Sequence, residues 1–170
     1  MRSVSGLRGI VGQDLTDDVV RRYAGAFGAF LRSRGGKTVA LGRDSRQSGP
    51  AYAAIAAEAL ALAGVDVVDL GMVPTPTAQM AVETNGLAGG IVVTASHNPI
   101  AWNALKFMGP GGRFLATDEA DAFFAIVDGG APITVAPVKG RITEDAGAVD
   151  RHLERLFALP WLDLSKVKAR

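Results

Sequence analysis

The chain of 170 residues contains no cysteine. Disulfide bonds and metal sites built from thiolates are therefore excluded as elements of its structure. We expect a cytoplasmic protein, a location with which the absence of cysteine is compatible.

The chain also lacks an excess of charge of either sign. Its 18 basic and 17 acidic side chains almost cancel, which leaves a formal net charge of +1 at pH 7. Overall charge therefore gives no support for binding to nucleic acid or to a membrane surface, although a small local cluster of cations can still bind phosphate. We expect neither nucleic acid nor a membrane among the partners of this protein.

Long apolar runs are missing as well. The N-terminus has no apolar segment of the kind found in secretory signals. The alanine-rich stretch 51–63 is the most apolar segment, but Tyr52 and Glu58 interrupt it. Because a transmembrane helix needs about 20 predominantly apolar residues, the sequence predicts no membrane span.

Helical and strand patterns alternate along the chain. Helices are predicted to begin near Thr16, Pro50, Thr75, Thr117 and Val149, and strands at 38–41, 65–70 and 89–94, followed by a hairpin of 106–108 and 113–115. This alternation predicts a three-layer α/β/α fold with a mixed, mostly parallel sheet of about four strands. The last strand is expected to be antiparallel, because a tight turn joins only antiparallel neighbours.

Two segments differ in their predicted role. We interpret residues 1–140 as one α/β domain and residues 141–170 as a linker helix that leads towards a second domain absent from the sequence. The stretch Gly129-Gly130-Ala131-Pro132 marks the edge of the domain, since it begins a looser segment after the last predicted helix.

Polar loops follow the predicted strands, at 42–49, 73–77 and 94–103. Because the carboxyl ends of parallel strands meet at one edge of a sheet, we expect these loops to converge. Ser96 begins a loop after a buried strand, and four cations from separate segments are then expected to surround it: Arg8, Arg43, Arg46 and Lys106. Like charges around the lysine disfavour its charged form, so it can act as a base for the serine hydroxyl.

Each of these features has an ordinary structural interpretation when it stands alone. A loop serine such as Ser96 is usually a turn residue, and His97 beside it is usually a hydrogen-bonded loop residue. The run 43–46 can be a surface turn with an Arg–Asp pair. His152, next to an apolar helical stripe, is interpreted as structural or exposed.

Five short motifs taken together are much more specific. They are Ser-Gly-Leu-Arg-Gly at 5–9, Gly-Arg-Asp-Ser-Arg-Gln-Ser-Gly at 42–49, Pro-Thr-Pro-Thr at 74–77, Thr-Ala-Ser-His-Asn-Pro at 94–99 and Asn-Ala-Leu-Lys at 103–106. In this order they strongly resemble the N-terminal domain of the α-D-phosphohexomutases, the phosphoglucomutase/phosphomannomutase superfamily. The resemblance implies an intramolecular phosphotransferase that interconverts hexose 1-phosphate and hexose 6-phosphate through a phosphoserine and a 1,6-bisphosphate.

The resemblance also implies roles for individual residues. Ser96 carries the phosphate, Lys106 and Arg8 handle protons around it, and His97 fixes the loop or assists proton transfer. The supporting residues of the phosphoserine loop are Arg43, Asp44, Ser45, Arg46, Asn98 and Asn103. Two departures leave the sugar open: the usual Phe-Gly-Thr opening reads Arg2-Ser3-Val4, and the usual Asn-Gly-x-Lys has alanine in place of glycine.

The family also implies Mg²⁺ in the complete enzyme, held by an acidic loop of its second domain. No such cluster occurs in this sequence, so only Ser96 is expected to contribute, through its phosphate. We therefore expect the remaining domains of the same enzyme as partners, a hexose phosphate as substrate, and no activity from the isolated chain. The alternatives are a stand-alone sugar-phosphate binding or regulatory module, and a serine-dependent phosphatase or esterase, for which the Gly-x-Ser-x-Gly signature is missing.

Overall fold

The computed structural model describes residues 1–3, 6–130 and 135–166, with the backbone alone at Leu164. The strands in these ranges are β1 (Arg2–Ser3), β2 (Gly6–Ile10), β3 (Thr38–Arg43), β4 (Asp66–Met72), β5 (Gly89–Val93), β6 (Trp102–Met108) and β7 (Ile142–Glu144). The α-helices are α1 (Asp17–Ser33), α2 (Gly49–Leu62), α3 (Thr75–Thr84), α4 (Thr117–Asp128) and α5 (Ala148–Phe157). Val4 and Ser5, the predicted domain edge at Ala131-Pro132, and the last four residues of the predicted linker lie outside the described residues.

The strands form one mixed sheet in the spatial order β1-β2-β6-β5-β3-β4-β7. Strands β5, β3, β4 and β7 are parallel, whereas β6, β2 and β1 continue the sheet as antiparallel neighbours. The predicted α/β/α class is confirmed, and so is the antiparallel direction of the strand after β5. The predicted count of about four strands is wrong, because β1 and β7 have only two and three exposed residues and β2 carries two glycines and an arginine.

Helices α1, α2 and α4 cover one face of the sheet. Thr16 caps α1 as its sequence position indicates, and its hydroxyl accepts a hydrogen bond from the Val19 amide at 3.3 Å. The rings of Phe27 from α1, Phe123 from α4 and Phe107 from β6 are fully buried, with ring centroids 4.7–5.5 Å apart. This aromatic cluster ties α1 and α4 to β6, and we call this side the closed face.

Helices α3 and α5 cover only part of the opposite face. Helix α3 lies over β3 and β5, where Ala78 and Val82 belong to the same buried cluster as Val92 and Met108. Helix α5 packs beside α3, and its buried Ala148 belongs to the same cluster. The sheet beside β5, made by β2 and β6, opens into a cleft on this side, which we call the open face.

Residues 141–157 extend these layers beyond the predicted boundary at residue 140. Strand β7 pairs in parallel with β4, and Arg155 of α5 forms an ion pair with Glu83 of α3 at 3.2 Å. The boundary therefore falls just before a strand of the same sheet. That residues 141–170 lead to a second domain stays a prediction.

The predicted hairpin after β6 is reduced to one antiparallel bridge between Met108 and Phe114. Its turn, Pro110–Gly112, is a short 3-10 turn. Among the described residues, no helix has both the length and the apolar character that crossing a bilayer requires.

Candidate active site

The candidate site lies where the parallel strands β3 and β5 end. A cleft of about 330 Å³ opens there between the loop that follows β5 and the paired strands β2 and β6. Four of the predicted site residues line it: Arg8, Ser96, His97 and Lys106. The fold thus brings together residues that are up to 98 positions apart in the sequence, because β2 and β6 are paired.

Ser96 is exposed and lies in the loop that follows β5. Among the described residues it is the one non-glycine residue with a positive φ, at 56°. A left-handed backbone is unfavourable for an L-residue, and such strain is concentrated at functional sites. The Ser96 Oγ lies 3.4 Å from Nδ1 of His97, so the imidazole is within reach of the hydroxyl.

Arg8 and Lys106 reach the cleft from two adjacent antiparallel strands. Arg8 lies opposite Ala104 in the β2–β6 ladder, and Lys106 lies opposite Gly6. Because side chains alternate between the faces of a strand, Arg8 and Lys106 share the open face while Leu105 enters the core. In the part of the chain that is described, neither cation forms an ion pair. The cleft therefore presents two unpaired positive charges to a ligand.

Arg46 lies beneath the loop instead of facing the cleft. Its side chain is only 9% exposed. The guanidinium donates hydrogen bonds to the carbonyl oxygens of Ser96, Asn98, Pro99 and Trp102, at 2.7–3.0 Å. These contacts support the backbone that carries Ser96.

Three further predicted residues also lie outside the cleft. Arg43 folds back on its own loop and donates to the carbonyl of Asp44 at 3.2 Å, and Ser45 is exposed on that loop. Asn103 is fully buried on the closed face, where its Nδ2 donates to Ser48 Oγ at 2.8 Å. The expected group of four cations around Ser96 is therefore reduced to two, because Arg43 and Arg46 point elsewhere.

Asp44 is occupied by hydrogen bonds. Its Oδ1 accepts from the backbone amide of Arg46 at 3.0 Å, and its Oδ2 accepts from Arg46 Nε at 3.1 Å and from Thr94 Oγ1 at 2.7 Å. The described residues contain no group of three or more His, Asp or Glu side chains that could hold a metal ion. Hard divalent cations need several converging oxygens, so these residues do not form a Mg²⁺ site by themselves.

The Pro-Thr-Pro-Thr motif at 74–77 begins α3 and serves packing. Thr77 is 1% exposed, and its Oγ1 lies 2.8 Å from Nδ1 of His152 on α5. His152 therefore has a structural contact, in agreement with its interpretation from sequence. A larger groove of about 660 Å³ lies at the amino ends of the strands, but none of the five motifs lines it, and its Arg34 is paired with Glu119 at 3.7 Å.

Two residues of the site are absent from the predicted set. Thr94 accepts the Ser96 amide through its Oγ1 at 3.1 Å, a local turn that a threonine two residues before a loop serine could have indicated. Phe114 lies with its ring centroid 5.7 Å from Nζ of Lys106. No sequence signal points to that contact, because it depends on the course of the chain after β6.

Similar proteins are found by comparison with a family model, with curated relatives and with solved structures. Residues 2–132 match the family model described as phosphoglucomutase/phosphomannomutase, alpha/beta/alpha domain I. The probable phosphoglucosamine mutase of Methanopyrus kandleri is 38% identical over 90% of this chain, and the phosphoglucosamine mutase of Mycobacterium leprae is 34% identical over 89%. A crystal structure from Thermus thermophilus covers 96% of the chain, with a TM-score of 0.84 and 35% identity. The chain spans about a third of the length of these relatives, 33%, 34% and 36% respectively.

Proposed function

The chain belongs to the phosphoglucomutase/phosphomannomutase family as its α/β/α domain I, and we propose that it carries the phosphoserine half of a phosphohexomutase active site. One observation carries the proposal. The exposed Ser96 hydroxyl stands in a left-handed backbone at the mouth of a cleft that contains the unpaired cations Arg8 and Lys106. A phosphoserine has a charge of roughly −1.5 to −2 at neutral pH, which two such cations would neutralise.

The proposed reaction is transfer of the phosphoryl group between Ser96 and a sugar hydroxyl. The bond between phosphorus and Ser96 Oγ breaks while a bond forms between phosphorus and the sugar oxygen. The sugar hydroxyl loses its proton, and Ser96 Oγ gains one. Transfer back from the other end of the resulting 1,6-bisphosphate restores the phosphoserine and moves the phosphate between positions 1 and 6. Such a reaction depends mainly on positioning and charge neutralisation.

Lys106 and His97 are the proposed proton carriers. Lys106 reaches the cleft from β6, and its ammonium can donate a proton to Ser96 Oγ as the phosphoryl group leaves. His97 Nδ1 lies 3.4 Å from the same oxygen and is the second candidate. Arg8 has no ion-pair partner among the described residues, and its guanidinium suits the phosphate oxygens through its planar arrangement of donors.

The proposal extends to the substrate, the metal ion and the cellular location. We propose a hexose phosphate as substrate, with glucosamine phosphates as the first to examine, since two relatives are named phosphoglucosamine mutases. Mg²⁺ would take its ligands other than the phosphoserine from outside this chain. We propose a cytoplasmic location, because charged sugar phosphates do not cross a bilayer unaided.

The proposal is tested by locating the phosphate. Wild-type protein, expressed as its gene encodes it, is treated with glucosamine 1,6-bisphosphate and digested, and the peptides are analysed by mass spectrometry. We expect phosphate on Ser96 and its complete loss in Ser96→Ala. Ser33→Ala is a matched control, since the Ser33 hydroxyl donates to the Phe30 carbonyl within α1, far from the motifs. Phosphate on another residue, with Ser96 unmodified, would contradict the assignment.

A second substitution tests the role of Lys106. Lys106→Met keeps the length and apolar stem of the side chain but removes its charge and its proton. Loss of a general acid–base group typically lowers rates about 10²–10⁴-fold, and we expect a fall of that size in phosphoryl transfer to Ser96. The 170-residue chain alone is expected to show negligible mutase turnover. Tight binding of hexose phosphates without any phosphate on Ser96 would instead favour a stand-alone binding module.

A further inference from the structure

The loop between β5 and β6, residues 94–101, contains two locally unfavourable features. Ser96 has the left-handed φ of 56°. Asn98 Oδ1 is a buried oxygen without a hydrogen-bond partner in the described structure. A left-handed non-glycine residue and a buried unpaired acceptor each cost on the order of 1–3 kcal/mol. Such a conformation persists only where the surrounding structure determines it strongly.

Arg46, which lies beneath the loop, holds it in this conformation. Its Nη1 donates to the carbonyls of Pro99 and Trp102, and its Nη2 donates to those of Ser96 and Asn98. Its Nε donates to Asp44. A guanidinium has five N–H donors, so every one of them is used. Arg46 therefore has no donor left for a phosphate group.

Asp44 and Thr94 extend the same support to the amide of Ser96. The Thr94 hydroxyl donates its proton to Asp44 Oδ2 at 2.7 Å, so its oxygen is oriented to accept the Ser96 N–H at 3.1 Å. Thr94 is 6% exposed, which shields these bonds from water. Ser96 is thus held at its amide through Thr94 and at its carbonyl through Arg46. We call Arg46, Asp44 and Thr94 the loop clamp.

We propose that Arg46 is a positioning residue that sets the direction of the Ser96 hydroxyl, and that it is not a ligand of the phosphate. The clamp holds the N–H and the C=O of Ser96, which belong to the peptide units on either side of its Cα, so the φ that aims Oγ into the cleft depends on the clamp. This inference rests on the proposed function for its catalytic consequence, whereas its structural part concerns the loop alone.

The clamp needs the shape of arginine and not only its charge. A lysine has three donors on one atom and cannot reach four carbonyls spread over residues 96–102 and a carboxylate at once. In Arg46→Lys, Ser96 is therefore expected to relax towards a negative φ. A displacement of about 1 Å in a reacting group can lower a rate about 10²-fold. We expect a loss of that size in kcat with little change in KM, because Arg8 and Lys106 remain in place.

The experiment compares Arg46→Lys with Arg32→Lys in the protein as its gene encodes it. Arg32 is a matched control, because its guanidinium donates to the Ala63 carbonyl at 2.9 Å in a groove at the amino ends of the strands. Steady-state kinetics give kcat and KM. Amide hydrogen exchange of residues 96–102 and the HN–Hα coupling of Ser96 report on the loop. We expect faster exchange and a changed coupling only in Arg46→Lys.

Substitutions of Thr94 test the proposal even if the Arg46→Lys variant folds poorly. Thr94→Ser keeps the hydroxyl and is expected to retain the Ser96 coupling and kcat, whereas Thr94→Val has no hydroxyl and is expected to lose both. Wild-type kcat, exchange and coupling in Arg46→Lys and Thr94→Val would overturn the proposal. A large rise in KM at constant kcat would overturn it too, because that indicates a phosphate ligand. If the wild type takes no phosphate on Ser96, the proposed function fails, and the exchange and coupling data still decide on the clamp.

Discussion

The two faces of the sheet differ in the surroundings of the side chains that one and the same strand places on them. On the closed face, Phe107 and Leu105 of β6 are fully buried under α1 and α4. On the open face, Ala104 and Lys106 of the same strand look into a cleft of about 330 Å³. Within four consecutive residues, β6 thus contributes both to the aromatic core and to the cation pair of the candidate site.

This difference shows how a cation of the candidate site can be held in position without an ion pair among the described residues. The position of Lys106 is determined by its neighbours in the strand, which are locked in the core, and by the ladder to Gly6. Sites built on strands are more precise than sites built on loops for this reason. Ser96 lacks such a support, because it lies in a loop, and a buried arginine supplies it instead.

The comparison predicts that a truncation on the closed face costs stability and leaves the chemistry of the remaining folded protein intact. Phe107→Ala removes a fully buried ring that contacts Phe27 and Phe123. We expect a loss of about 3–5 kcal/mol in the free energy of unfolding, measured by urea denaturation.

Phe114→Ala is its counterpart on the open side of the molecule. This ring is 37% exposed, and we expect a loss of about 1 kcal/mol or less. An equal cost for the two phenylalanines would show that the faces do not differ in packing as the structure indicates.

An effect between those of the two phenylalanines is expected where β2 meets β6 at the edge of the cleft. Gly6 has φ 135°, and a Cβ added there would lie 2.0 Å from the Leu105 carbonyl oxygen. Gly6→Ala therefore combines backbone strain with a clash, and we expect a loss of about 2–4 kcal/mol of unfolding free energy. Gly12 also has a positive φ, 76°, but open space around it. Gly12→Ala should cost about 1–2 kcal/mol, and urea denaturation of both separates the clash from the strain.

The sequence predicts best those elements that have a long stretch of helical periodicity or a recognisable residue at a terminus. Thr16 caps α1, and Gly64 follows α2 with φ 84°, so both helices have a local signal at a terminus. The edge strands β1 and β7 have no such signal. They are two and three residues long, and they are strands only because β2 and β4 offer free edges for pairing.

The sequence was enough to predict where the candidate site lies, but not the direction in which each of its side chains points. The convergence of Arg8, Ser96 and Lys106 was predicted from loops that follow parallel strands. In the structure only Ser96 lies in such a loop, whereas Arg8 and Lys106 reach the cleft from the antiparallel pair β2 and β6, of which β2 was not predicted. The direction of Arg43 and Arg46 does not follow from the sequence, since a loop arginine can face the ligand or turn inward. In the structure Arg46 turns inward, where four carbonyl oxygens of residues 96–102 accept hydrogen bonds from its guanidinium.

The smallest expected effect concerns a contact that joins β1, at the edge of the sheet, to α4 on the closed face. The Arg2 guanidinium donates two hydrogen bonds to the Asp128 carboxylate, at 2.6 and 2.7 Å. This contact lowers the pKa of Asp128 below its usual value of 3.8. A carboxyl group with a lowered pKa in the folded state stabilises the fold above its usual pKa, and this stabilisation is lost as the pH falls through the folded value.

The difference in unfolding free energy between wild type and Asp128→Asn is therefore expected to be present at pH 7 and to shrink towards zero below the usual pKa. It should also decrease with added salt, since both partners are substantially exposed. Asp121→Asn is the matched control, because Asp121 is exposed on the same helix and has no ion pair in the described part of the chain. A difference for Asp128→Asn that is equal at pH 7 and at pH 2 would mean that the contact with Arg2 does not depend on the carboxylate charge.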